Sequence, residues 1–189
     1  MGETEKKTNA VIDSAVGGVL FIDEAYSLDD RYGSQKGFGE EALDVLVRRM
    51  ENNRDNLVVI LAGYADATKR MIDVNEGLRS RIALEINFSD YSIGELMEIF
   101  EGFVRRSGFS YGADVRNRVE MLLESRLESK DFANARDVRN LFEALRRRQS
   151  RRISDLGLLA TIRDLSTFEV EDVPVYDPKV DAVSIGVYL

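Results

Sequence analysis

Residues 17–28 read GGVLFIDEAYSL, and this stretch decides the fold. Two glycines precede four large apolar residues, Val19–Ile22, and two adjacent carboxylates follow, Asp23 and Glu24. An apolar run of this kind predicts a strand that is buried on both faces of a parallel sheet. Ligands of open α/β sheets bind at the carboxyl ends of the strands, so the two acids stand where chemistry is expected.

Strands and helices alternate around this stretch. In order, the pattern predicts a helix through Ile12 and Ala15, the strand Val19–Ile22, a polar loop over 29–39, a helix through Leu43 and Met50, the strand Leu57–Ala62, a short helix over 65–73 and a weaker strand over 84–88. This alternation predicts a parallel sheet covered by helices. Three strands are few for an open sheet, so we expect the sheet to be incomplete.

The second half of the chain contains helical patterns only. Ser92 and Glu95 form a capping-box pattern that opens a helix running to about Arg106. Further helices pass through Val115–Leu127 and Val138–Leu145, and the three together predict a small bundle. The expected domains are a partial α/β domain over 1–90, a helical domain over 91–172, and an extended tail or arm over 173–189.

Composition excludes several classes of function. Hydrophobic residues make up 44% of the chain and charged residues 32%, which is typical of a folded domain. The absence of cysteine and histidine excludes disulfides, thiolate zinc sites and histidine-based catalysis. A net charge of −8 disfavours general nucleic-acid binding, and one basic run over 146–152 is the exception. With neither a membrane span nor a signal peptide, a cytoplasmic protein is expected.

The Asp23–Glu24 pair is the strongest candidate site. One carboxylate suits Mg²⁺, which takes few carboxylates and completes its shell with water and phosphate oxygens. The next carboxylate can act as a general base on an attacking water. The competing interpretation is an acidic strand end without chemistry.

Two groups of arginines are weaker candidates. Arg79 and Arg81 lie in a short loop, where one can point inward and the other outward to a neighbouring subunit, or both can be solvated. Arg136 and Arg139 share one face of a helix start, where the alternative is a surface ion pair between Arg139 and Glu143. The run over 146–152 is interpreted as the solvated last turns of that helix.

Taken in order, these features resemble a known family. The sequence is similar to the AAA+ ATPases that include red-type rubisco activases, stage V sporulation protein K-like ATPases and the ATPase of type VII secretion. The matching stretches are GGVLFIDEAYSL (17–28), FGEEALDVLVRRMENNRDNLVVILAGY (38–64), NEGLRSRI (75–82) and FANARDVRNLFEALRRRQSRRI (132–153). The resemblance implies an incomplete α/β nucleotide-binding subdomain followed by an α-helical lid, and it covers most of the chain.

The resemblance also implies roles for individual residues. Asp23 would be the Walker B ligand of Mg²⁺ and Glu24 the base that activates water. Arg81 would be the arginine finger acting on the ATP of the neighbouring subunit, with Arg79 the second candidate. Arg136 would reach the phosphates from the lid as sensor 2. The expected partners are further copies in a ring, a hexamer in the intact protein, and a protein substrate.

Two departures from the family pattern qualify this interpretation. The family usually has a polar sensor after the second strand, whereas this chain has Gly63 and Tyr64, so either Tyr64 serves as the sensor or the sensing is done elsewhere. No G-x-x-x-x-G-K-[ST] phosphate-binding loop occurs in the 189 residues. The chain is therefore expected to be inactive alone, either as part of an enzyme or as a non-hydrolysing module of an AAA+ ring.

Overall fold

The computed structural model describes residues 2–29, 38–129 and 131–175. The chain divides into two compact units, residues 1–88 and residues 89–189. Most of the loop predicted over 29–39 and most of the tail predicted over 173–189 lie outside the described residues. The architecture is the predicted one, an α/β unit followed by a helical unit.

The first unit packs helices on one side of a two-stranded parallel sheet. Its elements are α1 (Glu3–Ala15), β1 (Val19–Ile22), a 3₁₀ turn (Ala25–Leu28), α2 (Phe38–Asn52), β2 (Val58–Leu61), α3 (Ala65–Val74) and α4 (Glu76–Arg79). Val19 is opposite Val58 and Ile22 opposite Leu61, so the two strands end at the same level. Gly17, with φ of +85°, separates α1 from β1 and donates its amide to the Asn56 carbonyl.

The core of this unit follows from the helical spacing of apolar residues. Ile12 on α1 and Leu46 on α2 are buried, as are Leu57, Met71 and Leu78 from the following segments. Each fully buried large apolar side chain contributes about 1.5–3 kcal/mol to folding.

The opposite face of the sheet is exposed, which corrects the prediction that both strands are buried on both faces. Phe21 is 60% exposed, Val19 and Val58 are each 57% exposed, and Ile60 is 44% exposed. These four side chains, called here the open sheet face, lie together because paired residues of parallel strands share a side. Leu20 and Ile22 point the other way and pack on the helical core. Among the described residues of this unit, helices cover only that side.

We expect the open sheet face to make the chain self-associate. Large exposed apolar patches and unpaired strand edges both promote association with a second copy. Light scattering at tens of micromolar should detect a dimer or larger assembly, and Phe21→Lys should shift it toward the monomer. Val74→Lys, at an exposed position on α3, is the matched control and should leave the assembly unchanged. A monodisperse monomer for the unmodified chain would contradict the prediction.

The third predicted strand, over 84–88, is absent. Residues 82–91 have no regular secondary structure, and Leu84, Ile86 and Phe88 are all strongly exposed. A strand exists only where a neighbour accepts its backbone hydrogen bonds, and within the described residues this segment pairs with no strand. The apolar alternation predicted a strand, but a local pattern cannot supply the neighbouring strand that the pairing requires.

The second unit is a helical bundle. Its elements are α5 (Ile93–Arg106), β3 (Ser110–Tyr111), α6 (Ala113–Leu127), α7 (Ala135–Leu156), a 3₁₀ turn (Gly157–Leu159), α8 (Ile162–Ser166), β4 (Thr167–Phe168) and a 3₁₀ turn (Val170–Asp172). The capping box is confirmed, because Ser92 N donates to Glu95 Oε2 at 2.8 Å and Glu95 N donates to Ser92 Oγ at 3.4 Å. The hydrogen bonds that the Ser92 amide and hydroxyl donate to the Glu95 carboxylate lower the pKa of Glu95. The core includes Phe100, Leu145 and Phe168.

The basic run over 146–152 is not wholly solvated, which corrects a second prediction. Arg152 donates from Nε and Nη2 to the two carboxylate oxygens of Asp172, at 3.0 and 2.9 Å, and Asp172 is 1% exposed. The hydrogen bond to Asp172 raises the pKa of Arg152. Arg146, rather than Arg139, pairs with Glu143, at 3.2 Å.

Candidate functional site

The carboxyl ends of β1 and β2 meet at one edge of the first unit. Ala25 N donates to the Ala62 carbonyl at 2.9 Å, which holds the chain after β1 beside the end of β2. Asp23 and Glu24 therefore lie next to Gly63 and Tyr64, and both carboxylates are solvent-exposed. Asp23 Oδ1 accepts the Glu24 amide at 2.9 Å, and no other described residue donates a hydrogen bond to the Asp23 carboxylate.

Glu24 adopts an unusual backbone conformation. Its φ of 49° and ψ of 41° lie in the left-handed region, which few residues other than glycine adopt. Glu24 is also the residue before the 3₁₀ turn Ala25–Leu28, so this conformation turns the chain abruptly after the strand. Backbone strain of this kind costs about 1–3 kcal/mol and is concentrated at functional sites. The strain marks Glu24 as a candidate independently of its charge.

Tyr26 belongs to the same site, although sequence reasoning did not single it out. Burial raises the pKa of Tyr26, and the negative charges of Glu24 and Asp23 add to this effect. The protonated phenol therefore lies close to the Glu24 carboxylate. A Cβ at Gly63 would lie 2.8 Å from the Tyr26 ring, so only glycine permits this close approach.

Tyr64, the expected sensor, lies at the start of α3. Its side chain is 73% exposed, and its ring lies 5.8 Å from the Tyr26 ring, tilted by 32°. The structure thus brings Asp23, Glu24 and Tyr64 to one edge of the sheet, with Tyr26 between the carboxylates and Tyr64.

The two candidate finger arginines have different surroundings. Arg81 is half-buried: its Nη1 donates to the Gly77 carbonyl at 3.0 Å, and its Nη2 lies 3.2 Å from a Glu51 carboxylate oxygen. Arg79, the last residue of α4, is exposed. One arginine points inward and the other outward, but the outward one is Arg79 and not Arg81, the first candidate for the finger.

Arg136 lies in the second unit, in the first turn of α7. Its side chain is exposed, and its amide donates to the Ala133 carbonyl at 3.0 Å. The residues around it were missed by sequence reasoning and include Asn134, the second described non-glycine residue with positive φ. A positive φ at an asparagine before a helix leaves no reliable trace in a single sequence.

The carboxylates of the first unit fit Mg²⁺ bound together with a nucleotide. Within the described residues, no group of three or more Asp, Glu, His or Cys side chains is arranged to hold a metal ion by itself. Mg²⁺ commonly binds one or two carboxylates and takes its other ligands from water and phosphate oxygens. Asp23 is exposed and can supply a carboxylate oxygen as one of these Mg²⁺ ligands.

None of the helices in the described part of the chain combines the length and the apolar composition that crossing a bilayer requires.

Two family models match consecutive parts of the chain. Residues 1–90 match the ATPase family associated with various cellular activities (AAA), and residues 92–182 match the AAA lid domain. The change from one model to the other falls close to the boundary between the two structural units.

Curated relatives match over most of the chain. Protein CfxQ of Xanthobacter flavus is 42% identical over 173 residues, which is 92% of this chain and 54% of that protein. Protein CbbX of Cereibacter sphaeroides is 42% identical over 175 residues, which is 92% of this chain and 56% of that protein. The chloroplastic ribulose bisphosphate carboxylase/oxygenase activase of Cyanidioschyzon merolae is 40% identical over 174 residues, which is 92% of this chain and 59% of that protein. The chain therefore spans little more than half the length of these relatives.

Proposed function

Because the chain belongs to the AAA family of ATPases, we propose that it is the C-terminal part of a motor that hydrolyses ATP to remodel another protein. The observation that carries the proposal is the exposed pair Asp23 and Glu24 at the carboxyl end of a parallel strand, with Glu24 held in the left-handed region. A strained acidic residue at this edge is suited to act on a ligand placed above the strand ends.

The residues of the first unit divide the chemistry among them. Asp23 would hold Mg²⁺ through its second carboxylate oxygen, and the metal would neutralise part of the charge on the phosphates of ATP. Glu24 accepts the proton of the attacking water at its carboxylate. Tyr26, whose phenol lies close to Glu24, is proposed to orient that carboxylate by donating a hydrogen bond to it. Tyr64, beside Tyr26, is the proposed sensor of the γ-phosphate.

Two further arginines act from outside this edge. Arg81 serves as the finger toward the ATP of a neighbouring subunit, with Arg79 as the second candidate. Arg136 contacts the phosphates from the lid, as sensor 2. Guanidinium groups suit both tasks, because they remain charged and bind phosphate oxygens in a bidentate fashion.

The assembly and the substrate class extend the proposal. A finger that acts across a boundary requires a ring, and we propose the hexamer implied by the family resemblance. One relative is named as an activase of ribulose bisphosphate carboxylase/oxygenase, which supports a protein as the client.

The second candidate function is a non-hydrolysing module that joins an AAA+ ring. The observation that favours it is the lack of a G-x-x-x-x-G-K-[ST] loop in the 189 residues. Sequencing the gene upstream separates the two functions: an in-frame phosphate-binding loop supports the motor, and a stop codon or promoter there supports the module.

We expect the chain alone to release no phosphate from ATP above background. Without a phosphate-binding loop it lacks the backbone amides and the lysine that hold the β- and γ-phosphates. An extended polypeptide, in which this chain follows a segment carrying that loop, should hydrolyse ATP. A phosphate-release assay compares the two.

The control for this comparison is Glu24→Gln in both polypeptides. Turnover by the chain alone that disappears in Glu24→Gln would contradict the expectation. No turnover by a folded, nucleotide-binding extended polypeptide would favour the module.

A further inference from the structure

Asn134 has a backbone conformation that favours glycine. Its φ of 52° and ψ of −124° place it outside the regions that side-chain-bearing residues normally occupy. Such a conformation persists only where the surroundings impose it. The residue stands immediately before α7 and two positions before Arg136, so whatever holds it also fixes the start of that helix.

Both ends of the Asn134 side-chain amide are used. Nδ2 donates to Asp90 Oδ1 at 2.8 Å, and Oδ1 accepts the backbone amide of Tyr91 at 3.0 Å. Asp90 and Tyr91 are among the first residues after the boundary between the two units. The side chain therefore ties the entry of the second unit to the start of α7, across more than forty residues of sequence.

The same turn is held from its other side by Asp137. Asp137 Oδ2 accepts the Ala133 amide at 3.0 Å and lies 3.2 Å from Nη2 of Arg126. This ion pair is mostly buried, and the Asn134 carbonyl accepts the amides of Asp137 and Val138. The turn is fixed on both sides. We therefore expect that a change at Asn134 shifts the first turn of α7, and with it the side chain of Arg136.

We propose that Asn134 is a positioning residue that sets the direction of Arg136 by clamping Asp90 and Tyr91 to the start of α7. The inference rests on the proposed role of Arg136 toward the nucleotide phosphates. Asparagine suits the task because it donates to a carboxylate and accepts from an amide at once. Aspartate would lose the donor and place a second negative charge beside Asp90, and glycine would relax the backbone but remove the clamp.

Amide hydrogen exchange in the whole 189-residue chain tests the clamp without any nucleotide. Asn134→Gly should keep the melting temperature, since glycine relieves the unfavourable φ, while protection of the Tyr91 amide falls about fivefold or more. Asp90→Ala should lower it less, and the double variant should match Asn134→Gly alone. Asn140→Ala, an exposed asparagine on the same helix, is the matched control and should leave Tyr91 unchanged. Unchanged protection in Asn134→Gly would overturn the clamp.

Nucleotide kinetics in the extended polypeptide test the link to Arg136. Asn134→Gly and Arg136→Ala should both raise the KM for ATP, and the double variant should raise it no further than Arg136→Ala alone. If Arg136→Ala raises KM but Asn134→Gly does not, the positioning role is wrong while the proposed function stands. If Arg136→Ala leaves KM unchanged, the sensor role of Arg136 fails, and the positioning role fails with it even where the exchange result shows the clamp.

Discussion

Glu24→Gln in the extended polypeptide should nearly abolish ATP hydrolysis while ATP binding persists. Glutamine keeps the shape of the side chain and still offers an oxygen that can accept a hydrogen bond, but it cannot take a proton from water. Loss of a general base lowers rates by about 10²-fold to 10⁴-fold. Because ATP still binds but is not hydrolysed, a nucleotide-loaded ring should accumulate. Phosphate release measures the rate, and the nucleotide retained after gel filtration measures binding.

Two further variants serve as a comparison and a control for Glu24→Gln. Asp23→Ala should instead weaken Mg²⁺-dependent binding, because it removes the proposed metal ligand and not the base. Glu40→Gln, at an exposed position in the first turn of α2, is the matched charge control and should behave as wild type. Hydrolysis at the wild-type rate in Glu24→Gln would show that another group activates the water.

Arg81→Ala should leave nucleotide affinity of the isolated subunit nearly unchanged and lower hydrolysis by the assembled ring about 10³-fold or more. The ion pair with Glu51 does not prevent Arg81 from acting in trans. Pairs with this degree of exposure contribute about 0.2–1 kcal/mol, whereas a 10³-fold effect corresponds to about 4 kcal/mol. A phosphate on the neighbouring subunit therefore competes easily with Glu51.

Mixing two inactive variants provides the decisive measurement for Arg81. An Arg81→Ala subunit retains Glu24, and a Glu24→Gln subunit retains Arg81, so some sites of a mixed ring combine the two intact residues. Activity should return when subunits exchange and the ring tolerates idle sites. Mixed rings that are confirmed by mass and stay inactive would contradict a finger at position 81. The same mixture with Arg79→Ala then tests the exposed arginine of α4.

Features that depend on neighbours in sequence were predictable. The position of Asp23 and Glu24 at a strand end follows from the preceding apolar run, and the capping box of Ser92 and Glu95 needs only one helical turn. Both are local, so tertiary packing has little opportunity to change them. The arginine pair was predictable as a pair, but which arginine points inward depends on Glu51, thirty residues earlier on α2.

Contacts between distant residues were not predictable. The approach of Tyr26 to Gly63 and Tyr64 depends on the left-handed conformation of Glu24, which no local pattern encodes. The clamp by Asn134 joins segments that no periodicity connects. The apolar run of β1 predicted burial on two faces, because composition records what a strand can bury and not what packs against it.

The buried pair of Arg152 and Asp172 determines where the helical unit can be cut. A polypeptide that stopped after Phe168 would lose the bidentate partner of a largely buried guanidinium and keep only its longer ion pair with Asp164, at 3.8 Å, so we expect the unit to be destabilised. Val173, which follows Asp172 in sequence, is also buried in the core of the helical unit. When this lid is exchanged between relatives, by recombination or by design, the exchanged segment therefore has to extend at least to Val173.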